Sequence, residues 1–197
     1  SAVRARPGAA GRFGLAVAGP GAVVAVARAL GSPPDDPRTV ASVLILVACV
    51  LVARGTLVNW RRTVLSAAVS AGAVAALLVA MRLAYAQYGL DVVVGPADGR
   101  WGTWVWQWGL AGLATEAWLR GAVFGAALPL GGWPLAVIAS TLLGVGLHAG
   151  QPQEIVFWHL FTGVGFGAIR AWTRDAIGLG PARGIGDAVV AGLSALR

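Results

Sequence analysis

The sequence predicts an all-α, polytopic transmembrane bundle of about seven spans, and three observations carry that prediction. The chain of 197 residues is 57% hydrophobic and only 12% charged, whereas a soluble domain is about 25% charged. Its apolar runs approach the roughly 20 residues that a helix needs to cross a hydrocarbon core. Its fifteen basic residues are all Arg and sit mainly at the ends of those runs. That is the positive-inside pattern of a membrane protein, so the net charge of +7 predicts no nucleic-acid partner. The exclusive use of Arg fits a GC-rich bacterial genome, and the expected location is the cytoplasmic membrane.

The expected spans are 13–31, 39–58, 63–86, 103–128, 133–149, 154–172 and 177–196; the fifth and seventh are short for a crossing. In the first, Gly19-Pro20-Gly21 should kink or break the helix, and Arg28 must snorkel or find a partner. Arg4, Arg6 and Arg12 before an apolar run, with Ala25-Val26-Ala27 after it, resemble a signal peptide; the segment reads as a signal anchor. Ser32-Pro33-Pro34-Asp35-Asp36-Pro37 is a turn-rich loop. A short basic loop follows at 54–62, and the longest polar excursion at 87–100. Leu130-Gly131-Gly132 and Gly150-Gln151-Pro152 are tight turns. No internal repeat is visible. Cys49 is the single cysteine, which excludes an intrachain disulfide.

Orientation follows from the Arg count. Eight (Arg4, Arg6, Arg12, Arg54, Arg61, Arg62, Arg170 and Arg174) fall on the N-terminal side, and four (Arg38, Arg82, Arg100 and Arg197) on the other. This predicts a cytoplasmic N-terminus. Trp101, Trp104, Trp106 and Trp108 cluster at the start of the fourth span, and Trp60, Trp133, Trp158 and Trp172 lie near other span ends. They read as interfacial anchors, with Trp106 and Trp108 deep enough to line a cavity.

Inside the apolar runs a few polar residues stand out. Glu116 and Arg120 are the only charges between Val105 and Leu128, and each costs about 2.5–3.5 kcal/mol at bilayer depth on insertion scales. Residues four apart share a helix face. Gly112, Glu116 and Arg120 form one stripe, Ser140, Gly144 and His148 a second, and His159, Gly163 and Gly167 a third. Small residues mark helix contacts in membranes, so Glu116, His148 and His159 are expected to face one interior. Glu116–Arg120 reads either as a structural ion pair in the favourable order or as a general base tuned by a guanidinium. His148 and His159 read either as satisfied core histidines or as site residues. A two-His-one-carboxylate metal site has no local support, so no metal or cofactor is expected.

Thr115-Glu116-Ala117-Trp118-Leu119-Arg120-Gly121 resembles the Glu-Glu-x-x-x-Arg-Gly signature of the CAAX prenyl protease and bacteriocin-processing (CPBP, or Abi) family. The context agrees: a small-residue turn at Leu130–Pro134, a helix ending in Leu147-His148-Ala149, a Gly-rich run from Phe161 to Arg170, and an approach to a fourth helix at Ile177–Ala182. The resemblance covers about half the chain. It implies a division into an N-terminal scaffold, 1–100, and a CPBP-like four-helix core, 101–197. It also implies an intramembrane endopeptidase acting on a membrane-associated peptide, with Glu116 as base or base-orienter, Arg120 as tuner and His148 as oxyanion donor. The chain departs from the pattern at three places. The first Glu is Thr115, the Phe of the second motif is Gly144, and the His and Asn of the fourth helix fall on Gly186 and Val190. His159 or Asp187 would have to substitute. The alternative is a non-catalytic accessory, binding or assembly subunit of a larger membrane complex, with lipid and a partner membrane protein as its contacts.

Overall fold

The computed structural model describes residues 8–31, 40, 43, 59–87, 101–151 and 153–194, the side chains at 28, 101–107, 154 and 191–194 excepted. Among these residues the chain is all helical. The order is α1 (Ala9–Ala29), α2 (Trp60–Ala86), α3 (Trp101–Glu116), a π-helical segment π1 (Ala117–Val123), α4 (Phe124–Leu147), α5 (Gln153–Thr173) and α6 (Leu179–Ser194). Of the expected span at 39–58 only Val40 and Val43 are described; Cys49 and the loop at 88–100 lie outside the described residues.

Four stretches are long and apolar enough to cross a membrane: Ala9–Ala27, Trp60–Ala86, Trp108–Leu147 and Ile155–Thr173. The third has 40 residues, about twice what one crossing needs. It folds back inside α4, where Gly131 and Gly132 leave helical geometry. Gly132 has φ +71° and ψ −168°, a conformation open essentially only to glycine. The arms then lie side by side, with Arg120 Nη1 3.3 Å from the Ser140 carbonyl. The tight turn expected at Leu130-Gly131-Gly132 is therefore the hinge of this hairpin. Helix α6 begins at Leu179, two residues into the span expected at 177–196, whose last two residues lie outside the described ones.

Pro20 does not break α1, which runs through it. A proline in a helix interior leaves the carbonyl four residues back without its donor, and that carbonyl belongs to Ala16. The Trp118 indole Nε1 donates to it at 2.8 Å. Of the expected kink or break, the break does not occur, and a side chain from π1 replaces the missing N–H.

Helix α2 starts at Asn59, whose side chain accepts from the Arg62 N–H. It buries only Ser66, Ser70 and Val74, one residue per turn on one face. Asp175, in the turn before α6, gathers Thr63 Oγ1 at 2.9 Å, Ser66 Oγ at 2.5 Å and the Gly178 N–H at 2.8 Å. These bonds tie α2 to the α5–α6 connection. The outer faces present Val79, Leu83, Ile138, Leu142, Phe157 and Phe161, as hydrocarbon requires.

The tightest helix contact joins α3 to α6. A Cβ on Gly112 would lie 2.3 Å from the Gly184 nitrogen and 2.7 Å from the Gly180 carbonyl, so glycine here sets how closely the axes approach. The other small-residue stripes also mark contacts: Gly144 meets Leu119, Gly163 meets Thr141 and Gly167 meets Val137. Apolar packing continues from π1 into α1 through Ala16, Val24, Trp118, Leu119 and Val123. A second cluster joins α2, α5 and α6 through Val74, Trp158, Phe166, Leu179 and Val190.

Candidate functional site

Glu116 ends α3, and π1 follows at once. In π1 the Phe124 N–H bonds back to the Leu119 carbonyl, a five-residue step. Such π turns are rare and are frequent at functional sites. All seven residues of π1 are buried. The segment sends Trp118 to α1, Arg120 towards α4 and α5, and the Arg120 carbonyl towards Arg170, whose Nε donates to it at 3.0 Å. Arg170 also lies over the Phe124 ring. It is thus a half-buried part of α5, whereas the orientation count treats it as a loop cation.

Glu116 is 0% exposed, and so is Arg120. Arg120 Nε stands 3.6 Å from Glu116 Oε2, and Arg183 Nη1 stands 3.6 Å from Glu116 Oε1. Neither carboxylate oxygen has a hydrogen bond. The remaining Arg120 nitrogens reach the Ser140 and Gly163 carbonyls, at 3.3 and 2.7 Å. Arg183, on α6, extends the cluster. Its Nε donates to Asp187 Oδ2 at 2.8 Å, its Nη1 to Thr162 Oγ1 at 2.8 Å and its Nη2 to His159 Nδ1. Asp187 Oδ1 accepts from Trp158 Nε1 at 2.7 Å. The His159 ring stacks on His148 with centroids 3.4 Å apart and planes 9° from parallel. His148 caps the end of α4 and meets Gln151 Oε1 through Nδ1 at 3.0 Å. Two formal negative charges, Glu116 and Asp187, thus meet two positive ones, Arg120 and Arg183.

One cavity, of about 100 Å³, adjoins this cluster. Val24, Trp108, Ala114, Trp118 and Leu147 supply its apolar wall, and Thr115, His148 and Asp187 its polar groups. Glu116 does not line it. Within the signature turn, Thr115 holds the cavity-facing position and Glu116 the sealed one.

The structure brings Glu116, Arg120, His159, Asp187 and, through its stack, His148 into one network. Glu116 meets neither histidine directly; Arg183 lies between it and His159. Arg183 is the residue that sequence reasoning missed. Its signal was the Arg183–Asp187 pair four apart in an otherwise apolar helix, the mirror of Glu116–Arg120. The CPBP pattern points instead to Gly186 and Val190. Gly186 sits against Trp158 and Val74, and Val190 is in the apolar core. Trp158, expected as an interfacial anchor, is 2% exposed; its N–H serves Asp187. Trp60 and Trp172 are exposed near helix ends, and Trp133 is exposed beside the hinge of α4. Among the described residues no three His, Cys, Asp or Glu side chains are grouped as a metal ion requires. Comparison of the chain with protein-family models, curated proteins and solved structures gives no match.

Proposed function

We propose that this chain is a non-catalytic binding or assembly subunit of a membrane complex. In this reading it is a bundle of about seven spans in a bacterial cytoplasmic membrane, its N-terminus in the cytoplasm and its 101–197 half derived from a CPBP-like core. The observation that carries the reading is the state of Glu116. A general base must come within about 3.2 Å of the proton it abstracts, directly or through one water. Glu116 is sealed between two guanidinium groups, and the adjoining cavity meets Thr115 in its place. Threonine cannot take a proton from water near neutral pH. The carboxylate acts instead as the counter-charge that lets Arg120 tie α4 and α5 together through backbone carbonyls.

One observation favours a second reading. His148 and Asp187 both line the cavity, which offers a carboxylate and an imidazole to a divergent endopeptidase. Asp187, however, already accepts from Trp158 and Arg183, and these bonds give it a structural role in joining α5 to α6.

The test is isolation of the complex from native membranes in mild detergent. The expected result is a partner membrane protein at fixed stoichiometry, released when Phe157 and Phe161, exposed one turn apart on α5, are both changed to Ala. A chain that purifies alone and cuts a membrane-anchored peptide would support the second reading.

A further inference from the structure

The cavity beside the charge cluster has the makings of a ligand site of definite chemistry. Its wall of Val24, Val40, Val43, Trp108, Trp118 and Leu147 is apolar, and hydrocarbon is what such a wall excludes least. At the polar side, beside His148, Thr115 offers a hydroxyl that both donates and accepts. Asp187 offers a carboxylate whose two oxygens already hold one donor each, Trp158 Nε1 and Arg183 Nε. A carboxylate has about four acceptor positions, so it can still receive a hydrogen bond. Among the described residues the ion-paired charges beside the cavity balance: Glu116 and Asp187 against Arg120 and Arg183. A cationic or anionic head would therefore meet no surplus of the opposite sign, and would bring an uncompensated charge into a low-dielectric interior. A neutral group that donates to Asp187 and exchanges a bond with Thr115 meets no such cost. The simplest is a hydroxyl.

Size points the same way. A cavity of about 150 Å³ holds benzene, so about 100 Å³ takes a hydroxyl and a few methylenes. A longer tail must leave, and the cavity is only partly enclosed. Its α1, α3 and α4 lining belongs to stretches able to cross a membrane, so the tail would run into hydrocarbon.

We infer that this cavity binds the hydroxyl end of a neutral, hydroxyl-bearing membrane lipid, with Thr115 and Asp187 recognising the hydroxyl and Trp108 and Trp118 flanking the first methylenes. The inference rests on the reading of this cavity as a binding site rather than a hydrolytic one.

The experiment uses the purified full chain in detergent and a photoreactive probe, 1-octanol carrying a diazirine on its tail. Adducts should map to 108–118. Unlabelled 1-octanol should suppress them at a concentration at least about fivefold lower than octane, octanoate or octylammonium, the discrimination that one lost hydrogen bond gives. Thr115→Val keeps the shape, removes the hydroxyl and should erase most of that selectivity. Ala111→Leu should plug the cavity and cut labelling by a similar factor, with thermal melting showing that the fold persists. Equal competition by octane would overturn the inference, leaving an apolar crevice. Better competition by either charged octyl compound would overturn it, since charge would then be what is read. Selectivity that survives Thr115→Val, or labelling that maps elsewhere, would do the same. A separate peptide-cleavage assay keeps the two readings apart. Lost alcohol selectivity without cleavage sinks this inference alone, whereas cleavage sinks the binding reading on which it stands.

Discussion

Trp118 stands in for a missing backbone donor. Pro20 cannot serve the Ala16 carbonyl, and the indole does so at 2.8 Å. Trp118→Phe should therefore cost about 1–3 kcal/mol, the usual penalty for a buried polar atom left without its partner. Pro20→Ala restores the N–H, and in that background Trp118→Phe should cost much less; thermal melts of the four proteins in detergent measure the coupling. The same reasoning applies to Arg120. It serves Glu116 and two carbonyls while 0% exposed. Arg120→Leu should destabilise the fold by about 3–5 kcal/mol, because breaking a buried pair leaves its partner uncompensated. An unchanged melting temperature would mean that water reaches the pair. The Glu116–Arg120 pair was legible in the sequence because two charges four apart in an apolar run have few other uses. The Trp118–Ala16 bond was not, since nothing local says which distant indole will answer a proline.

At the scale of elements, the small-residue stripes were readable and their partners were not. Period-four spacing placed Gly112, Gly144, Gly163 and Gly167 on buried faces, and each meets a neighbouring helix. That Gly112 meets Gly184 depends on how α3 and α6 cross, which no local pattern encodes. Gly112→Ala should push these helices apart, because its Cβ would fall 2.3 Å from backbone rather than from a side chain able to move. The expected cost is at least about 1–3 kcal/mol, read as a lower melting temperature. Gly146→Ala is the control, since an added Cβ there meets nothing within 4 Å. The π-helical turn was invisible in the sequence, as an extra residue per turn has no compositional signature. Arg183 was hidden for another reason. The CPBP pattern sets the inward face of α6 by Gly186 and Val190, whereas Arg183 and Asp187 lie on the face four residues apart that carries the charges.

For the whole molecule, the membrane character follows from composition, and four stretches of the described chain meet the length and hydropathy of a crossing. The Arg distribution predicts opposite sides for the N-terminus and the 87–100 segment. Reporter fusions at the N-terminus and in that segment should report cytoplasm and exterior respectively; both on one side would refute the span assignment. Function was less legible than fold, because the resemblance names a chemistry whose first carboxylate this chain replaces with Thr115. The remaining one, Glu116, is enclosed by Arg120 and Arg183. The most direct measurement of that claim is hydrolysis of a membrane-anchored peptide by the protein reconstituted in vesicles, wild type beside Glu116→Gln. The account predicts no cleavage above empty vesicles for either protein, whereas cleavage by the wild type that Glu116→Gln abolishes would contradict it.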